Sequence, residues 1–478
     1  MTDKCAAARE AAIDRAVSTI NEGDFLRSLS ELVEISSESQ DPDKIEYLFE
    51  YLEHVSSKHL DPLGFRCRIF DNPVEDGGPI LIAERIENPK QPTVLFYGHG
   101  DVVSGMEGQW TEGLDPWKLK SEGNKIFGRG VADNKGQHLV SFFAWKAILE
   151  ERKQLGFNIR LLLETSEEIG SKGLREFCRE NGDLLRADFL VGSDGPRLSA
   201  ELPTLFMGSR GNMTFDLEVS YRESPMHSGN WGGLLKDPIV RLANALSLIV
   251  DGKGRITVPG WEVTSLNQSV KKALAHPSIS DVFQKAEIDR DWGTADFTPA
   301  ERVFAGNSFS VVGISSGDTN HPVNAIQPHA KAVCQLRYVV GTEPEEALAA
   351  LRDHLDNNDF FDVSIQPRKA EYFRATRVDP DHPLVKFAST SVSRTLGVAP
   401  ILLPNLGGSL PNDCFTEILN IPTVWIPHSY PDCLQHSPDE HLLTSVVEQG
   451  LAVMTGFFWD LGDPNTQGVT SLVEGVTQ

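Results

Sequence analysis

The chain has 478 residues, of which 40% are hydrophobic, and this is enough for a large core and for two or more domains. Its 44 basic and 68 acidic side chains give a formal net charge of −24, which argues against nucleic acid and anionic membranes as partners. The six cysteines form no CxxC pair, which favours free thiols. The N-terminus is charged and no apolar run approaches the roughly 20 residues that span a bilayer, so we predict a cytoplasmic protein.

The first part of the chain predicts helices and then alternating strands and helices. Residues 11–60 show apolar side chains at helical spacing. Short apolar runs then predict buried strands at 93–97, 159–163 and 188–192, and the pattern at 136–152 predicts a helix between the first two. Strands that alternate with helices in this way favour a mostly parallel sheet that is covered on both faces, the α/β class.

The pattern changes near residue 208. Apolar and polar residues alternate strictly from Met213 to Tyr221, which predicts a strand with one wet face in an antiparallel sheet. Further strands are predicted at 308–313, 331–339 and 361–366, with helices at 237–250 and 343–356. We therefore predict an inserted α+β domain at 209–377 between two parts of an α/β domain, 1–208 and 378–478. The last part contains a strand at 422–426, a final helix at 441–459 and a disordered tail after 461.

Side chains able to bind metal follow the predicted strands of the first part. His99 and Asp101 follow the strand at 93–97, Glu167 and Glu168 follow the next strand, and Asp194 follows the third. Ligands of open α/β sheets bind beyond the carboxyl ends of the strands, so these groups are expected to meet there. Imidazoles and carboxylates suit zinc, and manganese or cobalt as alternatives.

Two further positions complete this predicted set. Asp133 lies at a helix entrance in the glycine-punctuated loop that begins at Gly128, where it could cap the helix or bridge two cations. Near the C-terminus, His436 and His428 are rival imidazole ligands, and their spacing alone does not decide between them. Asp101 and Glu167 are left over as acids beside a metal pair, which is what metal-assisted hydrolysis requires.

As a set, these motifs resemble the M20 family of metallopeptidases. The motifs are His99-Gly-Asp101, the loop from Gly128 to Gly136, Glu167-Glu168, Ser193-Asp-Gly195, and a histidine that is followed four residues later by Glu440. The resemblance covers about residues 25–460. It implies a zinc-peptidase-like catalytic domain with an inserted lid domain, through which family members form homodimers.

The resemblance also implies a role for each residue. Asp133 would bridge two divalent metal ions, with zinc as the first expectation and manganese or cobalt as alternatives. His99 and Asp194 would bind one ion, and Glu168 and His436 the other. Glu167 would act as general base, with Asp101 as its supporting acid. Many family members have an aspartate where Asn134 stands, after a cis peptide bond, and we expect the Asp133–Asn134 bond to be cis.

Three further matches concern the substrate. Met226-His227-Ser-Gly229 resembles the HSG motif of carnosinase-like dipeptidases, in which the histidine stabilises an oxyanion across the dimer. Arg337 resembles the arginine that holds the terminal carboxylate of a substrate. The loop at Gly407, which contains Gly408 and Ser409, resembles the family loop that binds the same carboxylate through backbone N–H groups.

These observations predict a dimetal hydrolase that cleaves a dipeptide next to a free carboxylate, with metal-bound water activated by Glu167. The alternative is hydrolysis of an N-acyl or N-carbamoyl amino acid. A non-catalytic metal-dependent binding protein on the same fold is a third hypothesis. Such a protein would need neither Asp101 nor Glu167, so their presence favours an enzyme. The expected partners are a small peptide or N-acyl amino acid and a second copy of the chain.

Overall fold

The computed structural model of the chain describes residues 3–368, 373–463 and 466. The chain divides into two compact units, and each is described by itself. The first contains residues 1–208, 378–403 and 411–478, and the second contains residues 209–377 and 404–410. Residues 404–410 were predicted from the sequence to belong to the last part of the catalytic domain. These residues pack instead with the second unit, because Ser209 forms a parallel bridge with Leu406.

The described residues form the following strands and helices. The strands are β1 (Arg66–Phe70), β2 (Ile80–Arg85), β3 (Thr93–His99), β4 (Lys120–Glu122), β5 (Lys125–Phe127), β6 (Asn158–Glu164), β7 (Phe189–Gly192), β8 (Thr204–Phe206), β9 (Gly211–Ser220), β10 (Met226–His227), β11 (Ser308–Ser315), β12 (Ala325–Ile326), β13 (His329–Tyr338), β14 (Ser364–Pro367), β15 (Ile401–Leu403), β16 (Thr423–Trp425) and β17 (His441–Leu443). The helices are α1 (Asp3–Asn21), α2 (Asp24–Glu34), α3 (Ile45–His54), α4 (Lys135–Arg152), α5 (Leu174–Glu180), α6 (Gly182–Leu185), α7 (Ser228–Trp231), α8 (Pro238–Ile249), α9 (Gln268–Leu274), α10 (Pro277–Lys285), α11 (Pro299–Phe304), α12 (Pro344–Asp356), α13 (Pro383–Leu396) and α14 (Thr444–Leu461). Shorter 3₁₀ and π-helical turns lie at Pro42–Lys44, Val55–Leu60, Asp61–Leu63, Glu167–Ile169, Cys414–Ile418 and Pro431–Cys433.

The first unit is built on an eight-stranded sheet with the order β1-β2-β6-β3-β7-β16-β8-β15. Its central strands β6, β3, β7 and β16 are parallel, while β1 and β2 are antiparallel at one edge. This confirms the α/β class and the mostly parallel sheet. Strand β3 is buried along most of its length, as expected of a central strand covered on both faces.

Aromatic side chains fill the core of this unit between the sheet and the helices α4 and α14. The ring of Trp145 on α4 lies 5.3 Å from Phe96 of β3 and 5.7 Å from Phe458 of α14, with edge-to-face geometry in both pairs. All three side chains belong to one continuous cluster of buried residues. The packing fixes α4 against the strand that ends in His99.

The second unit contains a four-stranded antiparallel sheet with the order β11-β13-β9-β14. The alternation predicted for 213–221 is present in β9, where Met213, Phe215, Leu217 and Val219 are fully buried. Helices α8 and α12 cover this face, and Trp261 packs edge-on against Phe215 at 6.3 Å. Strand β11 forms one edge of the sheet.

The final helix is the clearest difference from the predicted elements. It begins at Thr444 rather than at 441, because His441–Leu443 form β17 and pair with β5. The predicted tail after 461 lies, apart from residues 462, 463 and 466, outside the described residues. Among the helices of the described residues, none is long and apolar enough to cross a membrane.

Candidate metal centre

The carboxyl ends of three parallel strands in the first unit place four acidic or imidazole groups at one edge of the sheet. His99 is the last residue of β3, which pairs in parallel with both β6 and β7. Glu167 and Glu168 lie in a 3₁₀ turn shortly after β6, and Asp194 lies two residues after β7. This is the edge at which open α/β sheets bind their ligands.

Asp133 and His436 reach the same place from two loops. Asp133 precedes α4, whose N-cap residue is Asn134, so the alternative of an N-capping Asp133 is wrong. The peptide bond between Asp133 and Asn134 is cis, as expected from the family resemblance. His436 follows the 3₁₀ turn at Pro431–Cys433 with a φ of 59°, a left-handed conformation that few non-glycine residues adopt.

These side chains form two groups of three that share one carboxylate. One group consists of His99, Asp133 and Asp194, and the other consists of Asp133, Glu168 and His436. In each group the atoms able to bind a metal all lie within 4.8 Å of one another. Oδ1 of Asp133 lies 3.0 Å from Nε2 of His99, and its Oδ2 lies 3.1 Å from Nε2 of His436. One carboxylate therefore faces both groups, as a bridging ligand does.

The donor set fits a pair of divalent metal ions. Oε1 of Glu168 and Oδ2 of Asp194 are buried and accept no hydrogen bond from the described residues, and each belongs to a different group. Burial, and then repulsion from Asp133, raises the pKa of Glu168 to about 7 and that of Asp194 to about 6. Bound cations would relieve both effects, because the free oxygens would be their ligands and their charge would compensate the crowded negative charge.

The imidazoles respond to the same crowding. Hydrogen bonds with Asp133 and Glu168 raise the pKa of His436 to about 11. Burial would raise the pKa of Asp133, but hydrogen bonds from His436 and His99 outweigh it and hold this pKa below its usual range. Burial would lower the pKa of His99, but hydrogen bonds with Asp101 and Asp133 outweigh it and raise this pKa. A metal ion would compete with protons for both imidazoles, because only a neutral imidazole is a ligand.

Asp101 connects His99 with the glutamate turn. Its Oδ1 lies 3.3 Å from Nδ1 of His99, on the opposite side of the ring from Asp133. The same carboxylate accepts the backbone N–H groups of Glu167 and Glu168 at 3.2 and 3.1 Å. A carboxylate in this position fixes the orientation of the imidazole and raises its basicity. It also fixes the turn that carries the two glutamates.

Glu167 differs from its neighbour Glu168 in its surroundings. Its carboxylate is half-buried and forms no hydrogen bond or ion pair with the described residues. Burial raises the pKa of Glu167, while His99 lowers it and Glu168 raises it. The site therefore contains a carboxylate with increased proton affinity that is close to the metal-binding groups and is not engaged by another side chain.

The structure separates the two histidines that the sequence left as rivals. His428 is fully buried, and its backbone N–H donates to Gln137 at 2.7 Å. It belongs to neither group of metal-binding side chains, whereas His436 belongs to one. Burial, and then the neighbouring Arg197, lowers the pKa of His428, so its ring stays neutral in the core.

Glu440 has a structural role that was not predicted from the sequence. Its carboxylate accepts hydrogen bonds from the Arg129 guanidinium at 2.7 Å and from the backbone N–H groups of Gly130, Ala132 and Asp133 at 2.9 to 3.2 Å. It thus holds the loop that presents Asp133. The spacing from His436 to Glu440 was the only signal in the sequence.

Asn134 and Gln435 were also missed as supporting residues. Nδ2 of Asn134 donates to the carbonyl of Ser193 at 2.7 Å, next to Asp194. An aspartate at this position could not donate that hydrogen bond. Nε2 of Gln435 donates to Oδ2 of Asp133 at 3.0 Å. Both residues therefore fix neighbouring metal-binding side chains.

The remaining candidate residues lie in the second unit. His227 is exposed at the end of β10, which pairs with β12. Arg337 lies on β13, and its Nη1 lies 3.3 Å from Oγ of Ser409, to which it donates. Gly408 is half-buried beside Ser409 in the 404–410 loop. Three of the four residues are thus brought together, and His227 lies on a separate element.

The fold and these two groups of side chains define a metallopeptidase of the α/β class, and the comparisons agree. The model of peptidase family M20/M25/M40 matches residues 95–460. Beta-Ala-His dipeptidase of Rattus norvegicus is 35% identical over 254 residues, which are 50% of this chain and only about half (51%) of that protein. Cysteinylglycine-S-conjugate dipeptidase of Corynebacterium striatum is 26% identical over 399 residues, or 82% of this chain and 85% of the relative.

A solved structure extends the likeness to the whole fold. The crystal structure of human carnosine dipeptidase 1 superposes with a TM-score of 0.74 at 26% identity, over 94% of this chain and 98% of the human chain. The chain belongs to peptidase family M20/M25/M40 and is a hydrolase. The family predicted from the sequence motifs is confirmed.

Proposed function

We propose that the protein is a dipeptidase with two metal ions, which hydrolyses the peptide bond next to a free carboxylate. The observation that carries the proposal is the pair of side-chain groups that share Asp133. His99 and Asp194 would hold one ion with Asp133, and Glu168 and His436 would hold the other. Imidazole and carboxylate donors favour zinc, with manganese or cobalt as alternatives. When bound, the ions would polarise the scissile carbonyl group and lower the pKa of a water molecule.

Glu167 is the proposed general base. Its carboxylate has no partner among the described side chains, and burial raises its pKa, which increases its affinity for a proton. We propose that Glu167 takes a proton from the attacking water and later delivers it to the nitrogen of the leaving amine. Asp101 would support both steps, because its carboxylate accepts the backbone N–H group of Glu167 and so fixes the position of that residue.

Arg337 and the 404–410 loop are the proposed site for the substrate carboxylate. The Arg337 guanidinium forms no ion pair with a described acidic side chain, and it donates to Ser409 at 3.3 Å. A guanidinium without a counter-ion beside a hydroxyl suits a carboxylate, which accepts two parallel hydrogen bonds from a guanidinium. A dipeptide and an N-acyl amino acid both carry such a carboxylate, and the long inserted domain with the motif at His227-Ser-Gly229 is the reason for proposing a dipeptide. The proposed role of His227 in stabilising the oxyanion rests on the family resemblance.

The relatives support dipeptides in general and do not determine the side chains. One relative is named for beta-Ala-His and another for cysteinylglycine S-conjugates.

The test is to load the metal-free protein with zinc or manganese and to incubate it with a library of dipeptides and N-acyl amino acids, while free amine is measured by mass spectrometry. Metal-dependent cleavage of dipeptides would support the proposal. Release from N-acyl or N-carbamoyl substrates alone would replace it with a deacylase. Two bound metals without turnover would favour the metal-dependent binding protein.

We also propose that the protein is a cytoplasmic homodimer that associates through the second unit. Strand β11 is at the edge of its sheet, and Val312 and Ile314 on it are 57% and 62% exposed. An apolar edge strand can pair with a second copy. Light scattering should give twice the chain mass of 52.7 kDa, and Ile314→Lys should shift it to the mass of one chain. A wild-type protein of one chain mass would contradict the dimer.

A further inference from the structure

Arg210 is a buried arginine whose guanidinium connects three parts of the second unit. It lies directly before β9, and only 4% of its surface is exposed. Its Nη1 donates to the carbonyl of Val303 at 3.1 Å, and its Nη2 donates to the carbonyl of Arg337 at 3.2 Å and to Oγ of Ser308. The side chain therefore holds the end of α11, the start of β11 and the residue Arg337 of β13 together.

The backbone of Arg210 holds the neighbouring loop in the same way. Its N–H group is shared between the carbonyls of Leu406 and Gly408, at 3.3 and 3.2 Å. The preceding residue, Ser209, forms a parallel bridge with Leu406. One residue thus fixes the backbone of Arg337 through its side chain and the loop of Gly408 and Ser409 through its main chain. These are the groups proposed above to bind a carboxylate.

The charge of this pair of arginines is uncompensated. Neither Arg210 nor Arg337 forms an ion pair with an acidic side chain in the part of the chain that the structure describes, although the chain carries 68 acidic residues. Burial, and then repulsion from Arg337, lowers the pKa of Arg210 to about 10, and burial also lowers that of Arg337. Buried charges are normally paired, so an anion from outside the chain is the expected partner.

We propose that Arg210 is a positioning residue that sets the preference of the enzyme for substrates with a free carboxylate. Three of its five N–H groups donate to Val303, Ser308 and Arg337, and the side chain is almost fully buried, so Arg210 acts through Arg337 and the 404–410 loop and not as a direct ligand. Its positive charge also favours an anion beside Arg337. This inference deepens the proposed function and rests on the carboxylate site described there.

The test compares a carboxylate with the matching neutral amide. The first measurement is kcat and KM of the metal-loaded protein for its best dipeptide and for the C-terminal amide of that dipeptide. The second is calorimetric binding of N-acetylglycine and N-acetylglycinamide, which requires no turnover. The variants are Arg210→Met and Arg210→Lys. The matched control is Arg222→Met, because Arg222 in the same unit also donates to two backbone carbonyls, those of Gln327 and Lys236.

We expect Arg210→Met to reduce the preference for carboxylate over amide at least tenfold, mainly through KM, while Arg222→Met leaves it unchanged. If Arg210→Met does not fold, as judged by circular dichroism, Arg210→Lys is measured instead. We expect its preference for carboxylate over amide to be at least threefold lower than that of wild type. An unchanged preference in the folded variant would overturn the inference even if dipeptides are cleaved. If wild type cleaves no dipeptide but binds N-acetylglycine in an Arg210-dependent way, the inference stands and the proposed function fails. Equal binding of both probes by wild type would also overturn the inference.

Discussion

Arg129 and Glu440 are 311 residues apart in sequence and form a buried ion pair in which Nη1 lies 2.7 Å from Oε2. Both side chains are 1% exposed. Because Glu440 also accepts the N–H groups of Gly130, Ala132 and Asp133, this pair sets the position of the loop that carries Asp133. The pair thus connects the C-terminal part of the first unit to the candidate metal centre.

We expect Glu440→Gln to weaken both the fold and metal binding. The change leaves the buried Arg129 without its counter-ion, and breaking a buried pair costs about 3–5 kcal/mol. Loss of a group that orients a ligand typically lowers metal affinity about 10- to 100-fold. Urea unfolding and competition with a zinc chelator measure the two effects. Glu448→Gln on α14 is a control that leaves this loop untouched, and equal results for the two variants would contradict the role of Glu440.

Metal removal should lower the thermal stability of the protein. The proposed ions bind the folded site, in which Glu168 and Asp194 have free oxygens, and hardly the unfolded chain. At free metal a hundredfold above the dissociation constant, the linkage stabilises the fold by about 2.7 kcal/mol. Calorimetric scans with zinc and with chelator measure the difference. Asp133→Ala, which removes the shared carboxylate, should respond much less, and an equal response would contradict the shared site.

Gly136→Ala should distort the loop that presents Asp133. A Cβ atom on Gly136 would lie 2.1 Å from the backbone oxygen of Val131, and a backbone atom cannot move aside as a flexible side chain can. We expect a loss of stability and of metal content, measured by thermal unfolding and elemental analysis. Gly182→Ala is the control, because a Cβ atom there meets no atom within 4 Å. Wild-type metal content in Gly136→Ala would show that the loop tolerates the shift.

The pH dependence of stability should contain a contribution from His59. Burial, and then the charges of His54 and Lys146, lowers the pKa of His59 to about 4, while the unfolded value is 6.5. Between these values the unfolded chain binds the proton and the folded chain does not. The contribution of His59 is therefore complete above pH 6.5 and is lost as the pH falls towards 4, by about 2 kcal/mol at pH 5.

The variant His59→Phe isolates this contribution and keeps the ring contact with Phe142, whose centroid lies 6.1 Å away. The free energy of unfolding, measured in urea at pH 7 and pH 5, should fall less in the variant than in wild type. His329→Gln replaces an exposed histidine and should behave like wild type. The same fall in wild type and His59→Phe would show that His59 titrates normally in the fold.

Local patterns in the sequence predicted the elements that position the candidate metal centre. The apolar run at 93–97 lies within β3, and the helical spacing at 136–152 lies within α4. The groups that follow three strands met at one edge, because parallel pairing of β3 with β6 and β7 aligns their ends. In such elements the conformation that the local pattern favours is also the one that tertiary packing stabilises, so the sequence alone predicts them.

Contacts between distant parts of the chain were not predicted, because no local pattern encodes them. The start of the final helix was misplaced, since His441–Leu443 extend only by pairing with β5. The 404–410 loop joins the second unit through hydrogen bonds with Arg210, almost 200 residues earlier. The choice of His436 over His428 required the family motif, because burial and the proximity of Asp133 distinguish the two only in three dimensions.

We propose that Glu167 accepts the proton of the attacking water beside two metal ions. The most direct test is to measure metal content and kcat for dipeptide hydrolysis in wild type and Glu167→Gln. We predict that both proteins bind two ions, and that kcat of the variant is lower by about 10²- to 10⁴-fold, as expected for the loss of a general base. A variant with two bound ions and wild-type kcat would show that Glu167 is not the general base.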